Sequence, residues 1–212
     1  MKTDPSTAWG KHLIIKNVTE TQTASDAQRL LESLGKLPES MARPAFIVVS
    51  GLPGTGKSYF CRRLAERLPF MILESDALRK TLFPSPSYSA EESARLFQAI
   101  HQLIARLLDR GMPLILDATN LSERFRERLY NIADRSHARL ILVRVEAPAE
   151  VVRTRLQSRA EGASPEDHSE ADWSVFQKMK PSVQKIGRNH FAVDTSRDIS
   201  PVLDKIVREV NK

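Results

Sequence analysis

Eight consecutive residues, Gly51-Leu52-Pro53-Gly54-Thr55-Gly56-Lys57-Ser58, concentrate the chemistry of this chain. Glycines let a backbone turn tightly and point its N–H groups at an anion. Lys57 adds a cation, and Ser58 adds a hydroxyl suited to a hard divalent ion. The spacing is G-x-x-x-x-G-K-[ST], the P-loop. It follows the apolar run Ala45-Phe46-Ile47-Val48-Val49 and precedes a helical segment, as a P-loop does. It predicts a cradle for ATP in which Gly51, Gly54, Thr55 and Gly56 shape the loop. Lys57 would meet the β- and γ-phosphates and Ser58 would meet Mg²⁺. The positive end of the following helix would face the phosphates.

Three further sets of residues could complete a phosphoryl transfer. Asp117 ends the apolar run Pro113-Leu114-Ile115-Leu116, the usual place for an acid that holds Mg²⁺ directly or through water. A plain turn acid in Asp117-Ala118-Thr119-Asn120 is the competing role. Asp76, in Glu74-Ser75-Asp76-Ala77-Leu78-Arg79, follows the next apolar run. Transfer to a hydroxyl needs a carboxylate to take its proton, and a cation near the acceptor. Asp76 and Arg79 share a helix face at i and i+3 and would do both, unless Asp76 only caps the helix or pairs with Arg79. Glu74 and Ser75 are weaker candidates. Arg155 and Arg159, at i and i+4, would close over the triphosphate from beside the polar segment 160–172, which reads as a lid. A solvated arginine face is the competing role there.

Other reactive residue types form no set. His12, His101, His137, His168 and His190 have no metal-ligand spacing. Cys61, one turn past Lys57, reads as a small buried residue. Trp173 and Phe176 read as docking groups for the end of the lid.

These residues need elements to hold them. Residues 1–43 read as an N-terminal extension with about one helix, from Ala24, Ala27, Leu30, Leu31 and Leu34 at helical spacing. Gly35 and Pro38 end it. His12-Leu13-Ile14-Ile15 reads as a short strand or packing segment. Residues 44–212 alternate strand and helix. Strands are expected at 46–49, 70–73, 113–116, 140–145 and 191–193. Helices are expected from 57 to about 67, from 89 to 109, from 122 to about 134, from 149 to 159 and from 201 to 210. Ser89 and Glu92 form a capping box, and Ser200 caps the last helix with Pro201 at its first position. Such alternation implies an α/β fold, a mostly parallel five-stranded sheet covered on both faces. Gly51, Asp76, Asp117 and Asp194 then fall past strand ends, where such sheets bind ligands.

Composition narrows the classes. Of 212 residues, 41% are apolar and 27% charged, ordinary for a globular domain. No apolar run reaches membrane-span length. No secretory signal is visible and a single cysteine allows no internal disulfide, so a cytoplasmic setting is expected. The net charge of +6 permits a nucleic-acid partner, but no basic stripe is interleaved with aromatics.

The P-loop, Glu74-Ser75-Asp76-Ala77-Leu78-Arg79-Lys80, Asp117-Ala118-Thr119-Asn120-Leu121 with Arg124, and Arg155-Leu156-Gln157-Ser158-Arg159 occur in that order. Together they resemble the zeta-toxin and polynucleotide-kinase-like group of P-loop kinases, often labelled AAA-family ATPases. The resemblance covers roughly residues 44–210. It implies strand order 2-3-1-4-5, ATP with Mg²⁺ as donor, and Asp76 as general base. It also implies that Arg79 holds substrate phosphate, that Arg155 and Arg159 are lid arginines, and that Arg124 faces the acceptor. Asp194 and Thr195 would lie near the adenine. Substrate-recognition elements of the polynucleotide, chloramphenicol and gluconate kinases are not evident. The expected activity is transfer of the γ-phosphoryl group to a hydroxyl of a small molecule, nucleoside or polynucleotide end. A nucleotide-binding regulatory ATPase that acts through protein partners is the alternative.

Overall fold

The computed structural model describes residues 6–162 and 169–212, with side chains from residue 20 onward except at 160 and 161. Five strands form one sheet: β1 (Ala45–Ser50), β2 (Met71–Glu74), β3 (Leu114–Asp117), β4 (Arg139–Glu146) and β5 (Phe191–Asp194). Their order is β2-β3-β1-β4-β5 and every pair is parallel. The expected order and fold class are therefore observed. Among the described residues, eight α-helices accompany the sheet: α1 (Ser6–Ser33), α2 (Lys57–Ala65), α3 (Ser75–Leu82), α4 (Ala90–Asp109), α5 (Glu123–Arg135), α6 (Ala149–Glu161), α7 (Trp173–Met179) and α8 (Ser200–Val210).

Strand alternation divides the core into two layers. On one face, Phe46, Val48, Leu73, Leu114, Leu116 and Leu142 pack against α1, α3, α4 and α5. On the other, Ile47, Val49, Ile115, Val143 and Val193 pack against Phe60, Cys61 and Leu64 of α2 and Leu203 and Ile206 of α8. All of β1 is buried. Each such branched or aromatic side chain contributes about 1.5–3 kcal/mol by leaving water. A third, small cluster joins Val152 and Leu156 of α6 to Phe176 of α7. Trp173 stacks on Phe176 with centroids 4.8 Å apart.

Several local expectations change. The segment His12–Ile15 is helical, because α1 extends over 28 residues instead of beginning near Ala24. Ser89 does accept a bond from the Glu92 N–H at 3.2 Å. The reciprocal half of the capping box is missing, because the Glu92 carboxylate turns to Ser87 and Arg79. Ser200 is the first residue of α8 and donates its N–H to Asp198 at 2.9 Å, so Asp198 holds that end. Residues 163–168 of the expected lid lie outside the described residues.

Candidate active site

Register brings the strand ends to one level. Asp117 pairs with Val49 of β1 on one side and Glu74 of β2 on the other. The P-loop, Asp117 and the start of α3 therefore leave the sheet at the same edge. There they border a cleft of about 1330 Å³, lined among others by Lys57, Ser58, Asp76, Asp117, Arg155 and Arg159.

The P-loop is clamped from below. The Gly51 N–H donates to Thr119 O at 3.0 Å, and Ser50 Oγ donates to Thr119 O and Asn120 O. Asn120 sits at φ +45 and returns an Nδ2 bond to Val49 O at 2.8 Å. A Cβ on Gly51 would lie 2.3 Å from Val145 O, so only glycine fits against β4. Gly56 has φ +86 and ends the loop ahead of α2. Helix geometry leaves the first-turn N–H groups of α2 without intrahelical acceptors, directed at the cleft. Lys57 Nζ donates to Leu52 O at 3.1 Å, which folds the lysine across its own loop.

Ser58 and Asp117 form the metal-ready pair. Both side chains border the cleft, and the Ser58 hydroxyl helps to hold the Asp117 carboxyl down. Asp117 is 3% exposed, and its Oδ2 is buried with no hydrogen-bond partner. Burial pushes this carboxyl above its usual range, opposed by Lys57 and Ser58. An ionised oxygen without a donor, beside a hydroxyl, suits a hard cation that takes its other ligands from phosphate and water. The residues therefore fit Mg²⁺. Among the described residues no three His, Cys, Asp or Glu side chains cluster as a dedicated metal cage.

The two arginines expected beside the lid differ. Arg155 donates Nη1 to Thr195 Oγ1 at 2.8 Å and Nη2 to Thr195 O at 2.9 Å. Thr195 Oγ1 donates to Thr55 O at 2.7 Å, so Arg155 and Thr195 brace the P-loop from the β5 side. Arg159 lies one turn further along α6 and borders the cleft. Asp194 turns into its own loop, accepting from the Ser196 hydroxyl at 2.7 Å and N–H at 2.9 Å. Those bonds hold its carboxyl below the usual range. Arg197, which the sequence did not single out, borders the cleft there.

Beyond the P-loop, Asp76 is half-buried at the start of α3 and opens to the cleft. Its charge helps to raise the pKa of Asp117, as expected of neighbouring carboxylates. Arg79 also borders the cleft but is already engaged. It forms a buried ion pair with Glu92, bonds Ser93 Oγ at 3.3 Å and lies 4.9 Å from the Tyr88 ring centroid. Burial opposes ionisation of Glu92. The Ser87 N–H and hydroxyl, with Arg79, nevertheless bring its pKa down to about 2. Arg124 is exposed on α5; the arginine that turns inward is Arg126, 1% exposed. Arg126 donates to Asn120 O, Gln184 O and Lys185 O and pairs with Glu123.

Arg126 and Asn120 were missed in the sequence, although signals for both exist. Arg126 precedes Leu129, Tyr130 and Ala133 by three, four and seven residues, the inward face of α5. Asparagine is the non-glycine residue that most readily takes a left-handed turn. Two other singled-out residues are structural. Cys61 is fully buried, which pushes its thiol well up. His101 is held down at about 4 by burial and by Arg128, and packs near Phe97.

Comparison with known proteins agrees with this architecture. A model of the AAA domain family AAA_33 matches residues 46–186, well over half of the chain. An uncharacterised protein of Mycobacterium tuberculosis is 28% identical over 156 residues, covering 68% of this chain. The match spans only 31% of that protein's own length. A protein of Chloroflexus aurantiacus assigned as a kinase superposes with TM-score 0.61 at 25% identity, covering 81% of this chain and 98% of that one. A gluconokinase of Sinorhizobium meliloti gives 0.57 at 22%, covering 79% and 92%, a likeness of fold. No helix among the described residues is long and apolar enough to cross a membrane.

Proposed function

The chain belongs to the AAA domain family, and within it we propose an ATP-dependent phosphotransferase that moves the γ-phosphoryl group of Mg-ATP to a hydroxyl acceptor. The observation that carries this is the pairing of two carboxylates at one strand-end level. Asp117, beside Ser58, suits the metal, and Asp76 opens separately to the cleft. A nucleotide switch needs the first and has no use for the second. The ordered motifs shared with the zeta-toxin and polynucleotide-kinase-like group support the reading, as does the likeness to small kinases.

In this reading the P-loop N–H groups and Lys57 hold the β- and γ-phosphates. Ser58 and Asp117 would hold Mg²⁺, which when bound offsets the phosphate charge. Asp76 accepts the proton of the acceptor hydroxyl as its oxygen bonds to the γ-phosphorus. The bond from that phosphorus to the bridging oxygen breaks, and ADP leaves with the electron pair. Arg159 faces the charge that spreads in the transition state. Arg155 keeps Thr195 and Thr55 in place.

The test is transfer from γ-labelled Mg-ATP to a panel of alcohols, sugars, nucleosides and 5′-hydroxyl oligonucleotides. A labelled acceptor is expected from the wild type and none from Asp76→Asn, with ATP binding retained. Release of labelled phosphate with no labelled acceptor would instead favour the regulatory ATPase.

A further inference from the structure

We propose that the acceptor is a hydroxyl-bearing small molecule with no phosphate beside its reacting hydroxyl, because Glu92 already neutralises the arginine that such a phosphate would need. This rests on the phosphotransferase reading and narrows its acceptor class. It also reverses the expectation that Arg79 holds substrate phosphate.

Arg79 lies one turn past Asp76 on α3, where an anionic group next to an attacking hydroxyl would fall. Both members of its pair with Glu92 have side chains only 8% exposed. Glu92 is itself fixed. It accepts from the Ser87 N–H at 2.6 Å, the Ser87 hydroxyl at 2.8 Å and the Tyr88 N–H at 3.3 Å. Turning the carboxylate away would strand two backbone donors as well as the guanidinium. Tyr88 covers Arg79 with its ring while its backbone sits at φ +54. The loop thus closes on the pair. One turn further along α4, Arg95 forms a two-point bond with the fully buried Asp26 of α1, at 2.6 and 2.9 Å. The helix that carries Glu92 is therefore anchored from behind.

The rest of this wall offers an acceptor phosphate little. Asp76 and Glu170 are acidic, and Phe97 and Met179 are apolar. Lys80 is paired with Glu170 at 3.2 Å. Lys178 stands exposed on α7. A phosphate close to Asp76 would meet like charge and find the charge of Arg79 already balanced by Glu92, with only the buried Nε of the guanidinium left unbonded. Displacing Arg79 from Glu92 would leave a buried carboxylate without its counter-charge. The donor side is more basic, with Lys57, Arg155 and Arg159 bordering the cleft beside the P-loop. A 5′-hydroxyl polynucleotide end carries a phosphate near its reacting oxygen and fits this wall poorly.

The experiment fills the P-loop with Mg-AMPPNP and titrates inorganic phosphate by calorimetry. Binding of AMPPNP checks the donor site separately, and its failure would count against the phosphotransferase reading alone. The loaded wild type is expected to take up no phosphate below about 10 mM. Glu92→Gln, which keeps the shape and removes the charge, should gain a phosphate site about tenfold tighter or better. Adding Arg79→Gln to that variant should remove the gain. Phosphate binding by the loaded wild type that Arg79→Gln abolishes would overturn the proposal. Equal behaviour of wild type and Glu92→Gln would also overturn it. Should Glu92→Gln fail to fold, loaded wild type against Arg79→Gln decides alone.

Discussion

The two sides of the cleft are built on different principles. The proposed donor side is made of backbone: a glycine loop, the free N–H groups of α2, and carbonyls clamped by Ser50, Asn120 and Thr195. The proposed acceptor side is made of side chains: Asp76 open to the cleft, and Arg79 engaged by Glu92, Ser93 and Tyr88. A backbone cradle needs glycines and fixed spacing, and it can suit any nucleoside triphosphate. A side-chain wall can be re-specified by one substitution. Generality therefore belongs to the donor side and specificity to the acceptor side.

The comparison can be broken most directly at the chemistry. Asp76→Asn is expected to lower transfer by roughly 10²–10⁴-fold, with AMPPNP affinity unchanged in a titration. Weakened nucleotide binding would merge the two sides. Lys57→Ala should instead lower nucleotide affinity and turnover together, by about 10²–10³-fold in kcat/KM. A third change tests the scaffold they share. Arg126→Met removes the buried guanidinium that joins Asn120 to residues 184 and 185. It should cost about 3 kcal/mol in denaturant unfolding, because Gln184 O and Lys185 O lose the guanidinium and Asn120 O keeps only Ser50.

Acid separates the sides more gently. The pKa of Glu92 is lowered from 4.5 to about 2, so its contribution to stability is complete above the upper value. That contribution is lost as pH falls through this window, and a pH series of melting temperatures should show the drop flattened in Glu92→Gln. Asp117 runs the other way. Its pKa is raised, so its ionisation disfavours the folded state as pH rises past the usual carboxylate range. Asp117→Asn should therefore raise the Tm of the nucleotide-free protein by about 2–4 °C while removing the stabilising effect of Mg-ATP. A lower Tm in the variant would show that Asp117 supports the fold itself.

Legibility followed the same division. The strands and their helices could be read because buried parallel strands are continuous apolar runs that end in charged or glycine residues. Gly51–Ser58 and Asp117 stand at fixed distances from such runs. The length of α1 could not be read, because its first half has little apolar periodicity. Glu92 shows why the acceptor wall stayed hidden. As a sequence feature it is the fourth residue of a capping box, and only the loop carrying Ser87 and Tyr88 turns it toward Arg79. The inward arginine of α5 was obscured by its neighbours, since Arg124, Arg126 and Arg128 are alike in type and differ only in phase.

The single cysteine offers a way to time the donor side. Cys61 lies inside the layer between α2 and the sheet, sealed from solvent. A thiol reagent can reach it only when that layer opens, so the alkylation rate reads the free energy of local opening. Nucleotide held by the closed form alone would slow the reaction by the factor 1 + [L]/Kd. A ligand seated only against α3 and α4 would slow it only if opening of the donor layer also released that ligand. The chain thus carries its own clock for whether its two halves breathe together.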